Sequence, residues 1–426
     1  VFLIASIASK WYGSIAGVIA GTSLILMPRL FGHAHIASLE TITNLMFTAT
    51  VLLIADRWKP GETISWKNIL LAGVLLGLTF LTKIQAVLLP VPIACWVAWN
   101  WGAFKKSDLQ NETFVKHWGR NVLLPYFCLG VIAFVVFFIL WPWLWIDPVE
   151  HLKQYFGRTT NRASLYVWYF GKRYVDKQVP WHYPWVMFLL TVPLGLLVLG
   201  KIGLWKKKAA WKEPHEQLLL GCLLFPLILF SLPGVAVYDG VRLFLVLFPL
   251  WGIFIGKGGS VVIGWMVKRM SPRLAVPLFA VFLLSSAWGI YVMNPCHLSY
   301  YNGLLTKTTA DNSNVMEKDY WGTAITRGML EEIVKQVPKG STIEVTPVLV
   351  PMQLAVMLEQ SPILRKHQIK LQTYQAERPL SGRYILFFSR LADLPEEFRH
   401  PLPENGKLLV ETKRGGNQLA GLLYFK

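Results

Sequence analysis

Apolar residues in this chain come in long, nearly unbroken runs, with polar residues gathered in short clusters between them. The runs lie at about 1 to 9, 11 to 28, 38 to 56, 68 to 82, 84 to 101, 121 to 146, 184 to 203, 217 to 235, 241 to 256 and 274 to 294. About 20 apolar residues cross a hydrocarbon layer of about 30 Å, so the pattern predicts roughly nine or ten membrane-crossing helices, the first of them partial. The stretch from Asn68 to Trp101 is too long for one crossing and is interrupted by Lys83, Pro90 and Pro92, which predicts two helices with a tight turn near Lys83. After Asn294-Pro295 the pattern changes. Residues 320 to 337 read as an amphipathic helix, and Thr342 to Val345, Tyr384 to Phe388 and Leu419 to Phe425 read as short strands. The fold class expected is a multi-pass α-helical membrane domain over 1–294, followed by a small α/β domain over 295–426.

Composition supports this class: 54% of residues are apolar, 14% aromatic and only 15% charged. The net charge of +18 would suit a nucleic-acid binder. The basic residues, however, sit between apolar runs, where they set orientation and meet anionic head groups, so membrane lipids are expected as partners and nucleic acid is not. Connections 57–67, 102–120, 201–216 and 257–273 fall on one face by helix count and hold sixteen Lys and Arg. That face is expected to be cytoplasmic. Segments 29–37, 147–183 and 236–241, and the C-terminal domain, are then extracytoplasmic. The chain opens on Val1-Phe2-Leu3-Ile4-Ala5, which reads as the tail of a helix from a longer protein. The four cysteines have no metal-site spacing and suggest no disulfide framework. There is no internal repeat, nucleotide loop or covalent hydrolase arrangement.

Ionisable residues beside a membrane are costly and therefore functional candidates. In Pro28 to Glu40, two imidazoles, His33 and His35, precede a carboxylate that enters the next helix. If Ser38 starts that helix, His35 and Glu40 can converge on one pocket, where they could hold a divalent metal or position a phosphate. Lys83, flanked by apolar residues on both sides, either meets a lipid-linked phosphate as a compact point charge or snorkels to head groups. The loop after Trp141-Pro142-Trp143-Leu144-Trp145 offers Arg158 and His182 among aromatic anchors suited to sugars and phosphates. Val237-Tyr238-Asp239-Gly240-Val241-Arg242 places a carboxylate and a guanidinium three apart in a tight turn. Asp319-Tyr320-Trp321-Gly322 reads as a helix start with Asp319 near the N-cap.

Taken in order, Pro28 to Glu40, Gly77 to Lys83, Pro180-Trp181-His182-Tyr183-Pro184, Tyr238 to Arg242, Pro295 to Asn302 and Asp319 to Gly322 resemble bacterial family 39 glycosyltransferases. These belong to the GT-C superfamily, with protein O-mannosyltransferases and lipid A aminoarabinose transferases. The resemblance implies a hexosyl or pentosyl transferase of the bacterial inner membrane that moves a sugar from a polyprenyl phosphate to a glycan, lipid or protein acceptor outside the cytoplasm. It implies a main catalytic acid in a first outer loop preceding Val1. Glu40 stands where the family usually writes Asp after His-x-x-Ala-Ser-Leu, with Glu40 and His35 as catalytic candidates. Lys83 matches the lysine that meets the donor phosphate, with Arg242 and Arg158 as further phosphate ligands. His33, His182, Tyr238 and Asp239 are the substrate-binding candidates. A transporter or lipid flippase, a polymer ligase with a lipid-linked donor, and a non-catalytic scaffold are the alternatives. Charges gathered on one face, with no resemblance between halves, argue against transport.

Overall fold

The computed structural model describes residues 1–59, 62, 64–100, 119–160, 163–205, 213–308, 314–350, 352–399 and 402–426. Its first part is a helical bundle: α1 Phe2–Tyr12, α2 Ser14–Ile25, α3 Pro28–Ala34, α4 Leu39–Arg57, α5 Trp66–Thr82, α6 Pro90–Asn100, α7 Leu124–Ile139, α8 Pro148–Thr160, α9 Tyr183–Thr191, α10 Leu194–Trp205, α11 Pro214–Leu229, α12 Leu247–Val267, α13 Pro272–Leu284 and α14 Trp288–Met293. Among the described residues, four helical stretches are long and apolar enough to cross a membrane by themselves, or six if each of two bent pairs is one crossing. Residues Trp66–Thr82, Ile84–Asn100 and Pro214–Leu229 form shorter apolar helices. The protein is a multi-pass helical membrane protein.

Breaks within apolar runs account for the lower number of long spans. α2 and α3 meet at 70°, and α9 and α10 at 112° across Pro193, which cannot donate a backbone hydrogen bond and pushes Val192 into an extended conformation. Two of the expected boundaries move. Residues 29–37, expected as a loop, are largely α3, with Arg29 and His33 buried. The run expected at 241 to 256 instead starts as a helix at Leu247 and continues to Val267, so Lys257 belongs inside α12 rather than to a connection. There its ammonium meets the buried Glu216 carboxylate of α11 at 2.5 Å, and that pairing is what lets a lysine occupy an apolar helix. The tight turn near Lys83 is present as a single extended residue between α5 and a short 3₁₀ segment, Ile84–Leu88.

Without a strong hydrophobic drive between helices in lipid, close backbone approach carries the packing. α10 and α12 achieve it where Gly203 lies against the Phe254 carbonyl and Gly258 against the Leu199 carbonyl, leaving no room for a Cβ at either.

The C-terminal part is a five-stranded sheet preceded by α15 Arg327–Gln336. A two-stranded antiparallel hairpin, β1 Tyr166–Tyr169 and β2 Lys172–Val175, comes from the 147–183 connection. The sheet contains β3 Thr342–Thr346, β4 Lys370–Thr373, β5 Tyr384–Phe388, β6 Gly406–Arg414 and β7 Asn417–Phe425 in the order β4-β3-β5-β7-β6. Its β3 pairs are parallel and its β7 pairs antiparallel. The expected strands are β3, β5 and β7, while β4 and β6 were not anticipated. The expected helix at 320 to 337 begins only at Arg327, because Thr326 caps Met329 at 3.2 Å. Asp319 instead accepts from the amides of Trp321, Thr323 and Ala324 and closes a turn. One sheet face buries Met329, Leu330 and Ile333 of α15 against Ile343, Val345, Leu386 and Leu422. The other packs Ile385, Phe387, Leu423 and Phe425 with Trp168 of the hairpin, so the 147–183 connection and the sheet share a core.

Candidate functional site

Four separate segments bring charge to the end of the bundle that faces the sheet. Ser38 is the N-cap of α4, which puts Glu40 in the first turn, where the helix dipole favours a carboxylate. Lys83 reaches it from the break after α5, with Nζ 3.0 Å from Glu40 Oε1. Arg242 reaches the same oxygen from the turn before α12, with Nε at 2.7 Å. The Glu40 side chain is 1% exposed and that of Lys83 12%, so both lie out of bulk water. Glu40 Oε2 is buried without a hydrogen-bond partner.

Asp239 carries the network onward. It stands at φ 55 and Gly240 at φ 65, a sequence of two left-handed residues that suits Asp-Gly. A Cβ on Gly240 would come within 2.6 Å of Arg29 Nη1, so this turn requires glycine for space as well as for conformation. Arg242 Nη1 donates to Asp239 Oδ2 at 3.0 Å, Trp321 Nε1 to the same oxygen at 3.2 Å, and Arg390 Nη1 to Oδ1 at 3.0 Å. The Arg242 guanidinium also lies over the Trp321 ring, 4.8 Å from its centroid. Burial works against the Arg242 charge, but its hydrogen bond and attraction to Glu40, together with Asp239, outweigh burial and hold it above its usual range.

Behind the turn, Arg29 is fully buried. Its Nε donates to the Tyr300 carbonyl at 2.9 Å and its guanidinium lies over Tyr301. Nη1 and Nη2 have no hydrogen-bond partner, and among the described residues no carboxylate pairs with it. The site therefore contains more cation than its carboxylates neutralise, which favours an anionic ligand.

The sequence candidates divide accordingly. Glu40, Lys83, Asp239 and Arg242 come together, with Tyr238 at the edge, 6.0 Å from the Arg242 guanidinium. His33 is buried against Trp321 and lies 3.4 Å from the Tyr320 hydroxyl. His35 does not converge with Glu40. It is exposed, with Nδ1 on the Phe31 carbonyl at 2.7 Å, because α3 turns its last residues outward. Among the described residues no hydrogen bond or ion pair joins His35 to Glu40, and no group of three or more His, Cys, Asp or Glu side chains could hold a metal. His182 instead meets the Tyr169 hydroxyl at 2.7 Å in the connecting loop. Arg158 falls on α8, and its side chain lies outside the described residues. Arg29, Trp321 and Arg390 were missed as site residues. Arg29 stood within the motif around His33, whereas Arg390 had no local signal.

A narrow pocket of about 30 Å³ opens from this cluster. Glu40, Lys83, Arg242, Asn44 and Gln85 line its charged and polar part, and Phe47, Leu89, Phe225, Leu229 and Phe230 its apolar walls. A second, apolar groove lies between α6 and α11 beside Pro92, Trp96, Leu224 and Phe225, the last residue lining both.

Fold and site together define a multi-pass membrane protein with a cation-rich pocket beneath a small sheet domain. No protein-family model matches this chain, and no curated protein sequence matches it. Two solved structures of ArnT from Cupriavidus metallidurans are similar to it. One, bound to undecaprenyl phosphate, gives a TM-score of 0.48 at 12% identity, over 99% of this chain and 81% of that one. The other, in the apo state, gives 0.47 at 12% identity, over 99% and 80%.

Proposed function

We propose that this protein transfers a sugar from a polyprenyl phosphate donor to an acceptor at the extracytoplasmic face of a bacterial inner membrane. The observation that carries this reading is the pocket itself, where two cations and a carboxylate sit beside apolar walls, one of which, Phe225, also lines a groove between α6 and α11. Such a shape suits a charged head on a long hydrocarbon tail. The motif order that resembles family 39 glycosyltransferases supports the same reading independently.

In this scheme the donor phosphate displaces Glu40 from Lys83 and Arg242. The acceptor oxygen attacks the anomeric carbon, the bond from that carbon to the phosphate oxygen breaks, and the lipid phosphate leaves with its charge met by both cations. The acceptor proton passes to a carboxylate. Glu40, relieved of its partners, becomes more basic as the donor binds and is the pocket's carboxylate for that role. Charge supports this choice of face: the site lies at the opposite end of α4 from Arg57, and the basic connections after α4 and α12 lie at the far end.

The test is transfer of radiolabelled sugar from a panel of polyprenyl phosphate donors to endogenous acceptors in membranes containing the protein, against a Lys83→Ala control. Label incorporated by the wild type alone supports the reading and identifies the sugar. No incorporation with any donor by well-folded protein would overturn it.

A further inference from the structure

The turn that presents Arg242 is held from outside the bundle. Arg390 follows β5 by two residues and is 2% exposed. Its Nε donates to Asp393 at 2.6 Å, and its Nη1 donates both to the Tyr320 carbonyl at 2.7 Å and to Asp239 at 3.0 Å. The segment around it is tied to the strand-like connection 316 to 321. Asp319 donates its amide to the Ser389 carbonyl at 3.1 Å, and the amides of Leu391 and Ala392 donate to the Glu317 carboxylate. These two segments form one block, and that block faces the bundle with Arg390 and the Trp321 indole, both bonded to Asp239. A guanidinium divided among three oxygen acceptors is a rigid fork that an ammonium cannot reproduce.

We propose that Arg390 is a positioning residue for the pocket: it fixes the Asp239 carboxylate, Asp239 fixes Arg242, and Arg242 is thereby aimed at a phosphate bound beside Glu40. The C-terminal domain on this account completes the anion site rather than merely capping the bundle. The proposal rests on the lipid-phosphate reading above, so its test separates the two.

The whole chain is titrated in detergent with undecaprenyl phosphate and with undecaprenol, and the ratio of the two affinities isolates the contribution of the phosphate. Arg390→Met is expected to lower that ratio about tenfold, the scale of one charge-assisted hydrogen bond. Arg390→Lys should restore part of the ratio, and Trp321→Phe, which removes the indole N–H and leaves a smaller ring under Arg242, should lower it by a smaller factor. Asp239→Asn combined with Arg390→Met should lower it no further than Asp239→Asn alone, because both act through one carboxylate. If Arg390→Met does not fold, Arg390→Lys and Trp321→Phe carry the test. A wild type that prefers the phosphate while every Arg390 and Trp321 variant keeps the wild-type ratio would overturn the proposal. A wild type with no preference would overturn the lipid-phosphate reading itself.

Discussion

Among the described residues of the bundle helices, two glutamates of similar exposure are buried, one at each end, and they do different things. Glu40 shares one oxygen between two cations from different segments, lines a pocket, and continues through Asp239 to a third cation on the sheet domain. Glu216 is held by Lys257 at 2.5 Å and the Tyr12 hydroxyl at 2.7 Å, and ties α1, α11 and α12 together at the far end. One is a network with spare positive charge lining a pocket, and the other joins one lysine and one hydroxyl to a carboxylate within the packing. Buried charge alone does not mark a binding site. Cations in excess of the carboxylates they meet are what set the Glu40 end apart.

The largest effect expected from this contrast is on stability at the far end. Lys257→Met leaves Glu216 buried with only a hydroxyl, which should cost about 3–5 kcal/mol while leaving the activity of the surviving folded protein unchanged. Thermal unfolding and specific activity measured side by side would check this, and a loss of activity per folded molecule would place Glu216 in the function. Lys83→Met should do the reverse. Glu40 keeps Arg242, so the unfolding temperature should move little, whereas sugar transfer should fall about 100-fold or more, as when one preorganised charge is removed from a transition state. A large loss of stability with residual transfer near wild type would make the two ends equivalent.

A further, pH-linked effect concerns the block that carries Arg390. Burial pushes the Glu317 carboxyl up to about 8 from an ordinary 4.5, against the pull of Arg390 and of two backbone amides. The carboxyl is thus mainly protonated in the folded protein at neutral pH. A raised carboxyl adds stability that is complete below about 4.5 and is lost as the pH rises through about 8. Unfolding temperature should therefore fall between pH 6 and 9 in the wild type more steeply than in Glu317→Gln, and parallel curves would contradict the assignment.

Much of this molecule could be read from its sequence, for identifiable reasons. Long apolar runs placed most of the helices, and the charged residues beside them, Glu40, Lys83 and Arg242, stood out because lipid makes such residues costly. Asp239-Gly240 announced its turn through the left-handed conformations that Asp and Gly tolerate. Tertiary partners carried no such mark. Glu40 and Lys83 are 43 residues apart, and Asp239 and Arg390 are 151 apart, and arginine is ordinary in a polar, sheet-forming stretch. Lys257 was misplaced because a charge in an apolar run reads as a boundary until its partner on another helix is known. His35 was misjudged because its approach to Glu40 depended on how α3 ends, which is set by packing against neighbouring helices.

On the proposed function, the pocket at Glu40, Lys83 and Arg242 receives a lipid phosphate and the Glu216 end does not. A polyprenyl phosphate with a photoreactive isoprene unit near the phosphate, irradiated with the purified protein and mapped by mass spectrometry, tests this directly. The account predicts labelling on residues 85 to 89, 225 to 230 and 242 to 246, suppressed by excess undecaprenyl phosphate and reduced in Lys83→Met. Labelling centred on the Glu216 and Lys257 end, or spread evenly over the bundle, would contradict it.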